Sequence, residues 1–194
     1  FMLVFALQFI FLYPNLVAMG DMVNSGNLDL LLTKPVNAQL ILSFRRISFE
    51  ELGSISTAIA LLGWLTFKGA IHLTPLSVAL FLVAIVSSML LIYCLFLLLM
   101  CLAVFLERLD NMAQLMWSMF SLCRYPVDVY PARLRFMFFS FLPVAYIASV
   151  PAAALLGTAS AGQIMTGMII ALTATFATTL LWRRTIRAYT SAGG

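Results

Sequence analysis

Residues 75–106 contain no Asp, Glu, Lys or Arg. A helix that crosses the hydrocarbon core of a bilayer needs about 20 mainly apolar residues. This run is longer than that, so a tilt or a protruding end must absorb the excess. The rest of the chain is of the same kind: 63% of its 194 residues are hydrophobic and 9% are charged. A soluble domain carries roughly a quarter charged residues, and one core in water could not hide this much apolar surface. The expected fold is an all-α, polytopic membrane bundle formed as a single domain over residues 1–194. The net charge of +4 makes no case for nucleic acid. Arg and Lys sit at the ends of the apolar runs, where they set orientation.

Residues 1–19, 49–67 and 163–182 read as further spans. Pro14 and Asn15 interrupt the end of the first. The chain opens at Phe1 directly in an apolar run, with no basic lead-in, which argues against an intact signal peptide and suggests a missing N-terminal segment. Ser48 and Glu51 form an S-x-x-E pattern, which predicts a capping box at the start of the second span. Trp182, Arg183, Arg184 and Arg187 anchor the end of the last. ERLD, residues 107–110, is a charged break whose Asp110 can cap the segment after it. Residues 111–124 are moderately apolar, and 136–157 are apolar but broken at Pro143 and Pro151.

Small residues recur at helical spacing in two spans: Gly53, Ser56, Ala60 and Gly63, then Gly167, Ala171, Ala174 and Thr178. Such faces let helix backbones approach closely in lipid. They serve either packing within the chain or a dimer or substrate-cavity face. The run 75–106 is bulky all round, and the expectation is that it faces lipid or shields the other helices.

The missing chemistry is equally informative. Lys34 precedes Pro35 and Lys68 precedes Gly69, so no P-loop is present to cradle ATP. The chain also lacks HExxH, GxSxG and a plausible Ser/His/Asp set. The lone His72 is no metal site, and Cys94, Cys101 and Cys123 form no CxxC and read as small buried hydrophobes. The cores of the spans carry no ionisable group of the kind that ion-driven carriers keep at membrane depth. Energy for transport would have to come from a partner.

One stretch between the first two spans stands apart: GNLDLLLTKPVN, within the polar segment 20–48. By composition alone this segment is equally a docking element for a partner or an interfacial helix with Arg45 and Arg46 on lipid headgroups. Its Gly26, Leu28, Asp29, Leu31, Leu32, Lys34 and Pro35 resemble a signature of type-two ABC transporter permeases, within a bacterial branch of that family. A second signature lies in the stretch with Tyr125, Pro126, Tyr130, Pro131, Arg133, Arg135, Pro143 and Pro151, which ends in Pro-Ala-x-x-Leu-Leu-Gly. The resemblance covers nearly the whole chain.

It implies a six-span fold, of which about five spans and a re-entrant element are present here and the first span is absent. It makes residues 20–48 the cytoplasmic segment that couples to an ATPase, with apolar anchors at Leu28, Leu30, Leu31 and Leu32 and polar contacts from Asp29 and Lys34. Residues 125–160 become an external, re-entrant proline element, and 111–124 the fifth span. That arrangement puts Lys34, Arg45, Arg46, Arg108, Arg183, Arg184 and Arg187 inside, and Lys68, Arg124, Arg133 and Arg135 outside. A rival keeps 107–135 inside and lets 136–157 span; it leaves Lys68 alone outside, as the positive-inside tendency prefers. The resemblance favours the first. It further implies an exporter subunit of the bacterial inner membrane that forms a homodimer or heterodimer with a sister permease. Two ABC ATPase subunits would hold the ATP and Mg, and this chain would bind no cofactor. The alternatives are an ion-gradient-driven carrier or channel, and a non-transporting scaffold.

Overall fold

The computed structural model describes residues 2–25, 27–34, 36–69, 71, 73–106, 114, 117–118, 131 and 144–188. Among these the chain is helical and has no strand. The helices are α1 (Met2–Phe11), α2 (Tyr13–Asn24), α3 (Asn27–Leu32), α4 (Ala38–Phe44), α5 (Leu52–Phe67), α6 (Pro75–Leu106), α7 (Val144–Leu155) and α8 (Ala161–Ala188). Among the described residues three segments are long and apolar enough to cross a membrane: Met2–Met19, Pro75–Val104 and Ala161–Ala188.

Local sequence sets the ends of the long helices. Thr74 and Ser77 exchange backbone and hydroxyl bonds at the start of α6, with Pro75 in the first helical position. Ser160 and Gln163 do the same for α8: the Gln163 N–H donates to Ser160 Oγ at 3.2 Å, and the Ser160 N–H donates to Gln163 Oε1 at 3.1 Å. This is a capping box, and it starts α8 ahead of the expected 163. The end of α7 is a Schellman turn. Gly157 takes φ 68°, the Thr158 N–H reaches the Ala153 carbonyl, and the Gly157 N–H reaches that of Ala154.

The box expected at Ser48 and Glu51 does not form. Ser48 Oγ accepts from the Glu50 N–H, and Glu51 instead accepts from the Ser54 hydroxyl. Helix α5 therefore starts at Leu52 and has 16 residues, about 24 Å at ~1.5 Å per residue. That is shorter than the ~30 Å hydrocarbon core and shorter than the span expected over 49–67.

Helix α6 is the hub of the bundle along one side and keeps the expected outward apolar side along the other, with Leu76, Leu82, Val86, Leu98 and Leu102 exposed. Ser87, Ser88, Ile92, Phe96, Leu97 and Met100 are buried on it. A helix apolar on every side is the kind a bundle can surround. It packs against α8, and the pairs Ser87–Met168 and Cys94–Thr175 advance together along both helices. The two therefore run parallel. Helix α7 also packs on α6, with Pro151 buried inside it. Ala154 clusters with Ala84 and Ile164, whereas Ile147 joins the main core that includes Ile92 to Val104 of α6. This places α7 antiparallel to α6.

The two small-residue faces have different fates. Gly167, Ala171 and Thr178 are buried and Ala174 is half-buried, so the α8 face serves packing within the chain. Gly53, Ser56, Ala60 and Gly63 of α5 lie on the open side of the bundle, and a Cβ added at Gly53 or Gly63 would meet nothing within 4 Å. In the expected fifth span, Trp117 is helical and packs edge-on against Phe5 and Phe9 of α1, with ring centroids 6.3 and 5.5 Å apart. Pro131 is described and exposed. The expectations for ERLD, Asp110, Cys123, Tyr125, Pro126, Tyr130, Arg133, Arg135 and Pro143 lie outside the described residues, as does His72.

Candidate functional site

Pro14 decides how the 20–48 segment is held. It has no N–H to give the carbonyl of Ile10, so the helix loses a bond and breaks at Leu12 between α1 and α2. The freed carbonyl accepts the N–H of Ser48 at 3.1 Å. The next carbonyl, Phe11, accepts from Asn15 Nδ2 at 2.7 Å. Asn15, only 1% exposed, also grips the Arg46 peptide on both edges. A proline kink in the first span thus becomes the socket for the far end of the polar segment.

The near end is held by apolar contacts. Leu28 is 0% exposed and Leu31 is buried; both belong to the main core with Leu16, Met19, Phe96, Met100 and Trp182. The expectation that these two leucines project as anchors for a partner is therefore corrected. They fasten α3 to this chain's own bundle, because a short apolar helix against α2 and α6 buries its inner side. Leu30, at 66% exposed, faces outward, and Leu32 is half-buried. Asp29 stands on α3, and Lys34 is exposed. Gly26 and Pro35 lie outside the described residues.

Helix α4 is tied to both long helices by side-chain hydrogen bonds. Asn37 caps it, accepting from the Leu40 N–H. Gln39 Nε2 then donates to Tyr93 Oη of α6 and to Thr179 Oγ1 of α8, both at 3.1 Å. Ser43, 0% exposed, donates to the Gln39 carbonyl at 2.7 Å and meets Tyr93 Oη at 2.9 Å. Phe44 stacks on the Tyr93 ring at 6.2 Å. Four uncharged polar side chains thus close a small network at bundle depth, tying the polar segment to both long helices. Hydroxyls and amides satisfied in this way are tolerated in lipid, where unsatisfied ones are costly. Sequence reasoning missed Gln39, Ser43, Tyr93 and Thr179. Their one legible signal is polar residues recurring four apart on α4, which alone names no partner.

A cavity of about 340 Å³ opens at the rim of the segment, lined by α2, α3 and the chain at 45–46. Asp21, Ser25, Lys34, Arg45 and Arg46 supply its polar wall. The site holds the segment to the bundle at three places, through Asn15, Leu28 and Gln39.

No curated protein and no solved structure matches the chain. The family described as ABC-2 family transporter protein has a model that matches residues 1–193. That match spans the kinked first span, the fastened polar segment and both long helices, and the chain belongs to the ABC-2 family of transporter proteins.

Proposed function

We propose that this chain is the membrane permease subunit of a bacterial ABC exporter, with residues 20–48 as the element that receives the ATPase stroke. The ATPase subunits hold ATP and Mg, and this chain binds neither. The observation that carries the reading is the Gln39 link to Tyr93 and Thr179, which joins the polar segment to α6 and α8 at once. A push on the exposed side of α3 at Leu30 and on the turn after it at Thr33, Lys34 and Val36 is passed to both helices by α4. The segment moves as one piece because Asn15 and Leu28 hold its two ends. Such a lever shifts the balance between two arrangements of the bundle when the partner binds one of them better.

The substrate path lies between this chain and a second permease, identical or sister. The α5 face at Gly53, Ser56, Ala60 and Gly63 is the wall open to that partner, since the matching face of α8 is already occupied. Copurification of an ATPase from native membrane tests the proposal, using Leu30→Glu with Val36→Glu as one variant and Gln39→Leu as another. The first variant is expected to lose the ATPase and keep its fold. Gln39→Leu is expected to keep the ATPase and lose transport. If no ATP-hydrolysing subunit accompanies the native protein, the reading fails and an ion-driven carrier replaces it.

A further inference from the structure

We propose that the rim cavity behind α3 is a binding site for the phosphate headgroup of an anionic phospholipid. The inference rests on the same placement of residues 20–48 at the cytoplasmic face. Among the described lining residues the cavity carries three cationic side chains, Lys34, Arg45 and Arg46, against one carboxylate, Asp21. Among the described residues none of the three cations has an ion-pair partner. Ser25 and Asn27 add a hydroxyl and an amide to the wall, and Met22, Leu30 and Leu31 add its apolar part. The volume of about 340 Å³ is at the small end of ligand sites.

The backbone at Arg46 is fixed by Asn15, so that wall of the cavity is set by the fold rather than by a loose surface arginine. Guanidinium groups suit phosphate oxygens, which they contact through paired N–H bonds. The surroundings of the cavity choose between a lipid and an acidic protein surface. Phe44, Ile47, Phe49 and Leu52 are exposed along the chain on either side of Arg45 and Arg46, and the apolar helix α5 begins at Leu52. A phosphate held at Arg45 and Arg46 therefore leaves its acyl chains beside apolar side chains. A basic cluster beside a span is attracted to anionic headgroups by about 1 kcal/mol per cation, or about fivefold in affinity.

The test is native mass spectrometry of the delipidated full chain in mild detergent, with phosphatidylglycerol or phosphatidylcholine added at equal concentration. The native chain is expected to retain phosphatidylglycerol preferentially. Lys34→Gln, Arg45→Gln and Arg46→Gln are each expected to reduce that preference about fivefold. All three side chains are exposed, and Arg46→Gln leaves the backbone bonds to Asn15 in place, so the variants keep the fold, checked by circular dichroism. Equal retention of the two lipids, or a preference untouched by all three variants, overturns the proposal. An excess of inorganic phosphate is expected to leave the retained lipid in place; if phosphate displaces it, the site belongs to a free anion. If the variants release a copurified ATPase and leave lipid retention unchanged, the cavity belongs to an acidic protein surface. Loss of the lipid preference in Arg45→Gln or Arg46→Gln with the ATPase still bound leaves the coupling reading intact, so the two proposals fail separately.

Discussion

The carboxamide of Asn15 pairs with the peptide of Arg46 on both edges: Nδ2 donates to the Arg46 carbonyl and Oδ1 accepts the Arg46 N–H, each at 2.8 Å. Two residues separated by most of the polar segment are joined as strand neighbours are, but between a side chain and a backbone. Any force on the segment therefore reaches the first span at the point where that span is already bent.

Replacing Asn15 with Leu removes both bonds and the one to Phe11, leaving backbone groups unpaired in an apolar setting. The expected loss is about 1–3 kcal/mol of stability, read as a lower melting temperature in detergent. Asn15→Asp keeps the acceptor but sets a buried carboxylate oxygen against the Phe11 and Arg46 carbonyls, so at neutral pH its melting temperature should fall at least as far as that of Asn15→Leu. A native melting temperature in Asn15→Leu would show that the clamp contributes nothing.

Pro14→Ala returns an N–H to the position that faces the Ile10 carbonyl. That N–H competes with Ser48 for the same oxygen, and the first span straightens. Amide hydrogen exchange in the peptide around Ser48 should quicken while the exchange of α6 stays slow. Unchanged exchange at Ser48 would mean that the socket does not depend on the kink.

Gln8 is 1% exposed in α1, and neither atom of its amide group has a partner among the described residues. A buried, unsatisfied amide costs about 1–3 kcal/mol. Gln8→Leu should therefore raise the melting temperature of the isolated chain. A lower melting temperature of the isolated chain would show that the amide has a partner within the chain and that the substitution breaks it.

The two small faces should respond differently to enlargement. Ala171 is 0% exposed in the bundle, so Ala171→Leu overpacks it and is expected to cost about 1–3 kcal/mol. Gly63 has open space where a Cβ would go, so Gly63→Leu should leave the melting of the single chain nearly unchanged. The same change is expected to weaken dimers. Crosslinking of Ala60→Cys between two copies gives the direct reading, and its failure in native membrane would place the dimer wall elsewhere.

Much of this molecule was legible in the sequence because hydropathy is a local property. The uncharged run at 75–106 became α6 without a shift of boundary, and the last span came out as expected apart from its ends. Those ends were also legible: Ser160 and Gln163 stand at capping-box spacing, and Thr74-Pro75 precedes Ser77 in the same way. The polar character of 20–48 and the lack of a P-loop were likewise plain from residue types alone.

Residue order was therefore enough to say which segments prefer lipid and that the chain has no P-loop, whereas the starts expected at 49 and 163 moved to Leu52 and Ala161. The partner of each side chain emerged only when the helices packed. Leu28 and Leu30 are the same residue type two positions apart, yet one is core and the other faces outward, because α3 has a single inner side. Gln39 found Tyr93 and Thr179, and Asn15 found Arg46, across separations that no local pattern encodes. In a membrane these pairings are selected by the cost of an unsatisfied polar group, and that cost is set only once the helices have come together.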